Sequence, residues 1–171
     1  MIDRTVFLIG MPGSGKSSLG KRLAGRLQMR YVDTDQRICD AAGCSVTDIF
    51  ARYGEQAFRN AETNVLTQIA YEPPAIVSTG GGMVMREVNQ RIMRNHGVIV
   101  LINRPLEDIM SDIKLDRRPL LAQKGLGEVE RLYHERIGVY RALADATLDN
   151  SQGYYNGMYN LERLVRSLFP W

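Results

Sequence analysis

The stretch that most narrows what this chain can fold into is GMPGSGKS, Gly10 to Ser17, directly behind the apolar run Val6, Phe7, Leu8 and Ile9. Three glycines, a proline and a lysine continue neither a strand nor a helix well. They suit a loop whose backbone closes around something. Gly10, Gly15, Lys16 and Ser17 satisfy G-x-x-x-x-G-K-[S/T], in which small residues let backbone N–H groups wrap a phosphate. The helix expected next, marked by Leu19, Leu23 and Leu27, points the positive end of its dipole at the same place. Lys16 can reach the β- and γ-phosphates, and the Ser17 hydroxyl can ligate Mg²⁺. A chance glycine-rich turn would not need a strand before it and an amphipathic helix after it. The loop therefore reads as a cradle for a nucleoside triphosphate, with Gly13, Ser14, Gly15, Lys16, Ser17 and Ser18 as its ATP contacts.

Short runs rich in Val and Ile recur at 5–9, 31–32, 75–78, 98–102 and 146–148. They lack polar alternation, as strands covered on both faces do. Helical patterns lie between them: Phe58, Val65 and Ile69; Val88 and Ile92; Leu132, Ile137, Tyr140 and Leu143; Leu161, Leu164, Val165 and Leu168. Strand alternating with helix predicts an α/β fold with three layers, α/β/α, around a parallel sheet of about five strands with right-handed crossovers. One domain over residues 1–171 is expected. Residues 125–127 read as a turn, and KLDRRPLLAQKG before it, without a clear period, reads as a mobile loop.

Composition excludes several classes. The apolar fraction of 44% and charged fraction of 24% are those of an ordinary globular protein. A net charge of +3 is too small to imply a nucleic-acid or membrane partner. Arginine outnumbers lysine 18 to 4, which suits an anionic substrate because the guanidinium fork matches carboxylates and phosphates. Genome base composition produces the same skew, so only placed arginines count. The first residues show no signal-peptide pattern, and no apolar run approaches the ~18 residues of a membrane span. Cys39 and Cys44 match no metal or redox spacing, and His96 and His134 join no ligand pattern. A cytoplasmic protein without a structural metal is expected, and the lack of heptads favours a monomer.

A triphosphate cradle does not name what receives the phosphoryl group. No N-K-x-D guanine signature is present, and the chain is too short for the modules of most motors, so a compact kinase leads. YVDTDQ puts Asp33 and Asp35 at the end of the second strand, where open α/β sheets collect ligands. If the extended conformation persists, both carboxylates face one side, one for the metal and one for an acceptor hydroxyl. Asp35 capping the next helix is the competing reading. STGGG, Ser78 to Gly82, is a third signal: consecutive glycines cost conformational entropy, so something must approach that backbone closely.

GMPGSGKS, DTDQ, GEQAFRNAE, STGGGMV, RRPLL and ERIGVYR, in this order and at these intervals, resemble the shikimate kinase family over nearly the whole chain. The resemblance implies a P-loop fold like that of the nucleoside-monophosphate kinases, with ATP and shikimate as substrates and transfer of the γ-phosphoryl to the 3-hydroxyl of shikimate. That step leads towards chorismate and the aromatic amino acids. By position it implies that Asp33 holds one Mg²⁺ through water beside Ser17. Asp35 binds acceptor hydroxyls and is the candidate base. Arg59 and Arg136 clamp the shikimate carboxylate, Glu62 orients Arg59, and Gly80, Gly81 and Gly82 supply backbone contacts. Lys16 and Arg118 contact the transferred phosphate, with Arg118 in a lid at about 112–125 and the acceptor segment at about 33–61.

Two places depart from the family pattern. Ser111 and Asp112 stand where members commonly carry an arginine that stacks on adenine, with Lys114 and Arg117 as nearby substitutes. NSQGYYNGMYN, Asn150 to Asn160, matches no part of the pattern. Its tyrosines either stack on a base or pack against the sheet, and packing is favoured because aromatics bury well.

Overall fold

The computed structural model describes residues 2–112 and 125–169. In chain order these form β1 Thr5–Ile9, α1 Lys16–Leu27, β2 Arg30–Asp33, α2 Thr34–Ala42, α3 Val46–Ala70, β3 Ala75–Ser78, a 3₁₀ turn Met83–Met85, α4 Glu87–His96, β4 Gly97–Asn103, α5 Leu106–Asp112, α6 Leu126–Leu143, β5 Ala146–Asp149 and α7 Tyr154–Ser167. The five strands are all parallel in the order β2-β3-β1-β4-β5. Every residue of β1 is buried, which is why the central strand reads as an unbroken apolar run.

Alternation along β1 divides the core. Phe7 and Ile9 face a cluster with Ile38, Phe58, Leu66, Met93 and Tyr140, while Val6 and Leu8 face Leu19, Leu23, Leu161 and Val165. The second cluster is the seam between α1 and α7. The three-layer parallel fold is thus as expected. No helix among the described residues is long and apolar enough to cross a membrane.

Three local expectations change. In α3 the expected helix runs on from Glu55, but an unexpected helical stretch from Val46 precedes it across a break at Gly54, with φ 79° and ψ 171°. Ser45 caps it through a reciprocal pair with Asp48. The turn expected at residues 125–127 is shorter: Gly125, with φ 70°, precedes α6, and Gly127 is already helical. The tyrosines of residues 150–160 do not pack on the sheet. α7 buries Gly157, Met158, Leu161 and Val165, so Tyr155 and Tyr159, one turn apart, fall on the outer face at 87% and 62% exposure. The proposed lid, with Lys114, Arg117 and Arg118, lies outside the described residues apart from its two ends.

Gly97 opens β4 with extended dihedrals, so its constraint is steric. A Cβ there would lie 2.4 Å from the Thr5 carbonyl oxygen and 2.6 Å from the Phe7 ring. Gly97→Ala must push β4 away from β1, a cost of about 1–3 kcal/mol by analogy with overpacked cores. Thermal unfolding should show a melting temperature several degrees lower; an unchanged midpoint would mean that the β1–β4 pairing has slack.

Candidate active site

The loop from Gly10 to Gly15 adopts three positive-φ glycines, at Gly10 (142°), Gly13 (85°) and Gly15 (99°). Gly10 also has no room for a side chain, because a Cβ would meet the Ile102 carbonyl oxygen at 2.6 Å. α1 begins at Lys16 with no side chain capping it, so the first-turn N–H groups face the loop interior as anion-binding dipoles. The loop's carbonyls are taken up by side chains. Lys16 Nζ donates to the carbonyls of Gly10 (2.9 Å) and Met11 (2.8 Å). Arg104 Nη1 donates to Gly13 at 3.2 Å, and Asn150 Nδ2 donates to Ser14 at 2.9 Å. Ser18 Oγ donates to the Gly15 carbonyl.

On the β2 flank, Asp33 is the end of the strand and the cap of α2. Its Oδ1 accepts from the backbone of Asp35 (3.1 Å) and Gln36 (3.3 Å). Its Oδ2 accepts from Ser17 Oγ at 2.8 Å and from the Tyr31 hydroxyl at 3.3 Å. Burial pushes the Tyr31 phenol above its ordinary range, so it remains a donor. Ser17 and Asp33 together present hard oxygen donors of the kind Mg²⁺ prefers. The helix cap is therefore Asp33, and Asp35 projects from the first turn of α2. The strand ends before strand alternation could align the two carboxylates, and the helix turn aligns them instead.

The three glycines after β3 are explained by what lies against them. A Cβ on Gly80 would be 2.5 Å from Asp35 Oδ1 and 3.0 Å from Glu62 Oε1. One on Gly81 would touch Pro12 of the loop and lie 3.3 Å from Arg136 Nη1, and one on Gly82 would strike the Arg59 guanidinium at 2.6 Å. Residues 80–82 are thus the meeting place of α2, α3, α6 and the glycine loop. Gly80 N–H donates to Thr34 Oγ1 at 3.0 Å, and the Gly81 carbonyl accepts from the Tyr140 hydroxyl at 2.6 Å. Burial raises the Tyr140 phenol to about 12, so this bond keeps its proton.

Charge here is dense and mostly buried. Arg59 Nη1 donates to Glu62 at 2.9 Å and its Nη2 to Glu55 at 3.0 Å. Burial raises the Glu62 carboxyl in spite of Arg59, since its side chain is only 1% exposed. Arg59 itself is pushed up, because two carboxylates outweigh its partial burial. Arg136 is buried, and its Nε has no hydrogen-bond partner among the described residues. A buried guanidinium with an unspent N–H is a ready partner for an anion.

Lys16, Ser17, Asp33, Asp35, Arg59, Glu62, Arg136 and Gly80, Gly81 and Gly82 therefore converge on one rim of the sheet. Arg104 and Asn150 were not singled out from the sequence, because what marks them is the loop carbonyls they hold. Gly157 now has a reason as well: a Cβ there would sit 2.2 Å from Asn150 Oδ1. On the β4 and β5 flank, Gly15, Ser18, Arg104, Asp108, Asp112 and Tyr154 help bound a second cavity of about 540 Å³.

The family described as shikimate kinase matches residues 12–160. A shikimate kinase from Neisseria meningitidis serogroup C is 37% identical over 163 residues, covering 94% of this chain and 96% of that protein. Among solved structures, a shikimate kinase from Acinetobacter baumannii in complex with shikimate superposes with a TM-score of 0.88 at 28% identity, covering 96% of this chain and 92% of that one. The Aquifex aeolicus enzyme superposes at 0.81 with 30% identity, covering 96% and 95%. A match that runs from the glycine loop to α7, together with a fold that gathers the motif residues on one rim, places this chain in the shikimate kinase family.

Proposed function

We propose that this chain, as one kinase domain, transfers the γ-phosphoryl group of ATP to the 3-hydroxyl of shikimate, giving shikimate 3-phosphate and ADP. The observation that carries the reading is the convergence of Asp35, Arg59 and Arg136 on the backbone of Gly80, Gly81 and Gly82, with Gly81 against Pro12 of the phosphate cradle. An acceptor held there lies beside the end of the triphosphate. Proximity of that kind supplies much of a transfer barrier.

The roles follow from the chemistry of each group. The loop N–H groups and Lys16 hold the β- and γ-phosphates and offset charge as it develops. Ser17 and Asp33 would hold Mg²⁺, directly and through water, and the ion when bound neutralises phosphate oxygens. Asp35 accepts a hydrogen bond from the acceptor hydroxyl and can take its proton. Arg136, with its free Nε, and Arg59, braced by Glu62, pair with the shikimate carboxylate. Arg118 enters by the RRPLL motif alone, as a contact to the transferred phosphate.

Coupled ADP release should be rapid with shikimate and absent with gluconate or nucleoside monophosphates. Turnover with the latter two but not with shikimate would remove the acceptor assignment. Arg59→Ala should weaken shikimate binding by ~2–5 kcal/mol in calorimetry, as for a desolvated charge pair that loses one partner. Unchanged affinity would take Arg59 out of the acceptor site.

Glu62 gives a pH prediction. Its native carboxyl titrates above its unfolded value, so its contribution to stability is fully present below the unfolded pKa and is lost as pH rises through the native one. Glu62→Gln mimics the protonated form at every pH. Its stability relative to wild type should therefore improve from pH 4 to pH 7 in denaturant titrations. An offset independent of pH would show that Arg59 fully compensates the burial of Glu62.

A further inference from the structure

We propose that Tyr140 is a positioning residue of the acceptor site: its buried hydroxyl holds the peptide unit between Gly81 and Gly82 in the orientation that offers the acceptor an amide and not a carbonyl. The inference rests on shikimate as the acceptor and adds a residue that acts on it through the backbone. The amides of residues 79–82 are already sorted. Thr79 N–H donates to the Leu8 carbonyl and Gly80 N–H to Thr34 Oγ1. The Gly81 and Gly82 amides donate to no group among the described residues. The carbonyls on the same two peptide units are both taken, that of Gly80 by Met83 N–H at 3.1 Å and that of Gly81 by the Tyr140 hydroxyl at 2.6 Å. A trans peptide points its C=O and N–H in opposite directions, and no peptide bond here is cis. Each bonded carbonyl therefore turns a free amide the other way.

The two pins differ in kind. The first is a local turn leading into the 3₁₀ segment, while the second comes from 59 residues away in sequence. It also acts where the chain resists least, because two adjacent glycines oppose rotation of the peptide unit between them only weakly. A flip would aim the Gly81 carbonyl at an anionic acceptor and leave the Tyr140 hydroxyl buried without its acceptor. Tyr140 cannot follow such a movement: it is fully buried, in the cluster with Phe7, Ile9 and Met83. Arg136 stands one turn earlier on α6, and a Cβ on Gly81 would lie 3.3 Å from its Nη1. One helix thus supplies a guanidinium and the clamp on the amides beside it, which fixes the spacing of the two.

The competing role is that Tyr140 acts only through its helical neighbour Arg136, or only on the fold. Calorimetry on the full chain with shikimate and with ADP separates these. Tyr140→Phe keeps the ring and removes the hydroxyl. It should weaken shikimate binding about fivefold or more, as the loss of a neutral hydrogen bond does, while ADP binding stays within about twofold. A similar factor should appear when Tyr140→Phe is made in an Arg136→Lys background, since the two then act independently. The wild-type protein gives a readout that needs no variant: in hydrogen exchange followed by NMR, shikimate should slow the Gly81 and Gly82 amides far more than that of Gly80, which is already bonded. Unchanged shikimate affinity in Tyr140→Phe would overturn the proposal, as would equal losses for shikimate and ADP. So would a factor that vanishes beside Arg136→Lys, or Gly81 and Gly82 amides whose exchange ignores shikimate. Failure of the wild-type chain to bind shikimate at all would instead overturn the acceptor reading.

Discussion

The structure depends on a turn whose carbonyls are held by side chains brought from α1 and from just beyond β4 and β5. Between β1 and α1 the chain reverses through three left-handed glycines. The carbonyls of Gly10, Met11, Gly13 and Ser14 are each taken by a side chain: Lys16 for the first two, then Arg104 and Asn150. A backbone polar group buried without a partner costs roughly 1–3 kcal/mol. Four satisfied carbonyls therefore let the loop hold a shape that its glycines alone would not favour. Two of the donors are cations, of which Arg104 is also paired with Asp112. Arg104 and Asn150 come from the ends of β4 and β5, which makes the cradle a product of sheet order as much as of its own sequence.

The acceptor side obeys a different constraint, that of close approach. Side chains from α2, α3 and α6 can reach one another only because residues 80–82 lack Cβ atoms, and each missing Cβ leaves room for a specific charged group. Glu62 shows the cost of that density. Its carboxyl is buried and titrates high, yet it accepts from Arg59 Nη1 and holds that guanidinium from one helical turn away. A buried pair of this kind is a weak source of net stability and a strong source of fixed geometry. The geometry is the useful part, since phosphoryl transfer is governed by positioning.

The fold was largely legible in the sequence, because a parallel sheet covered on both faces writes itself as Val- and Ile-rich runs separated by helical periods. The cradle was legible for the same reason that its motif is short: the groups that bind are contiguous. Asp33 and Asp35 were found on a partly mistaken argument. Their spacing reads as strand alternation, but Asp33 stops the strand by capping α2, and Asp35 reaches the rim from a helix. The glycines after β3 signalled a close approach without saying that the chain's own Arg59, Arg136, Asp35 and Glu62 make it. Arg104 and Asn150 left no mark, since a side chain that serves a backbone carbonyl leaves no spacing to read. The exposed tyrosines of α7 were misjudged because the aromatic content of a helix says little until its buried face is known.

The two flanks of α1 are sorted by how their arginines are used. Beside Gly81, Arg136 is buried with an unspent Nε, and an anion that enters gains a hydrogen bond the protein cannot otherwise make. Beside Gly13, Arg104 has already spent itself on a carbonyl and a carboxylate, so a second polyanion gains little there. With one carboxylated substrate and one polyphosphate competing for cationic sites in a small domain, a chain of this net charge cannot separate them by total charge. It can separate them by which guanidinium is free. Arg136 reaches Gly81 beyond β3 from α6, while Arg104 reaches Gly13 from the end of β4, so the two unlike arginines meet the cradle at different residues.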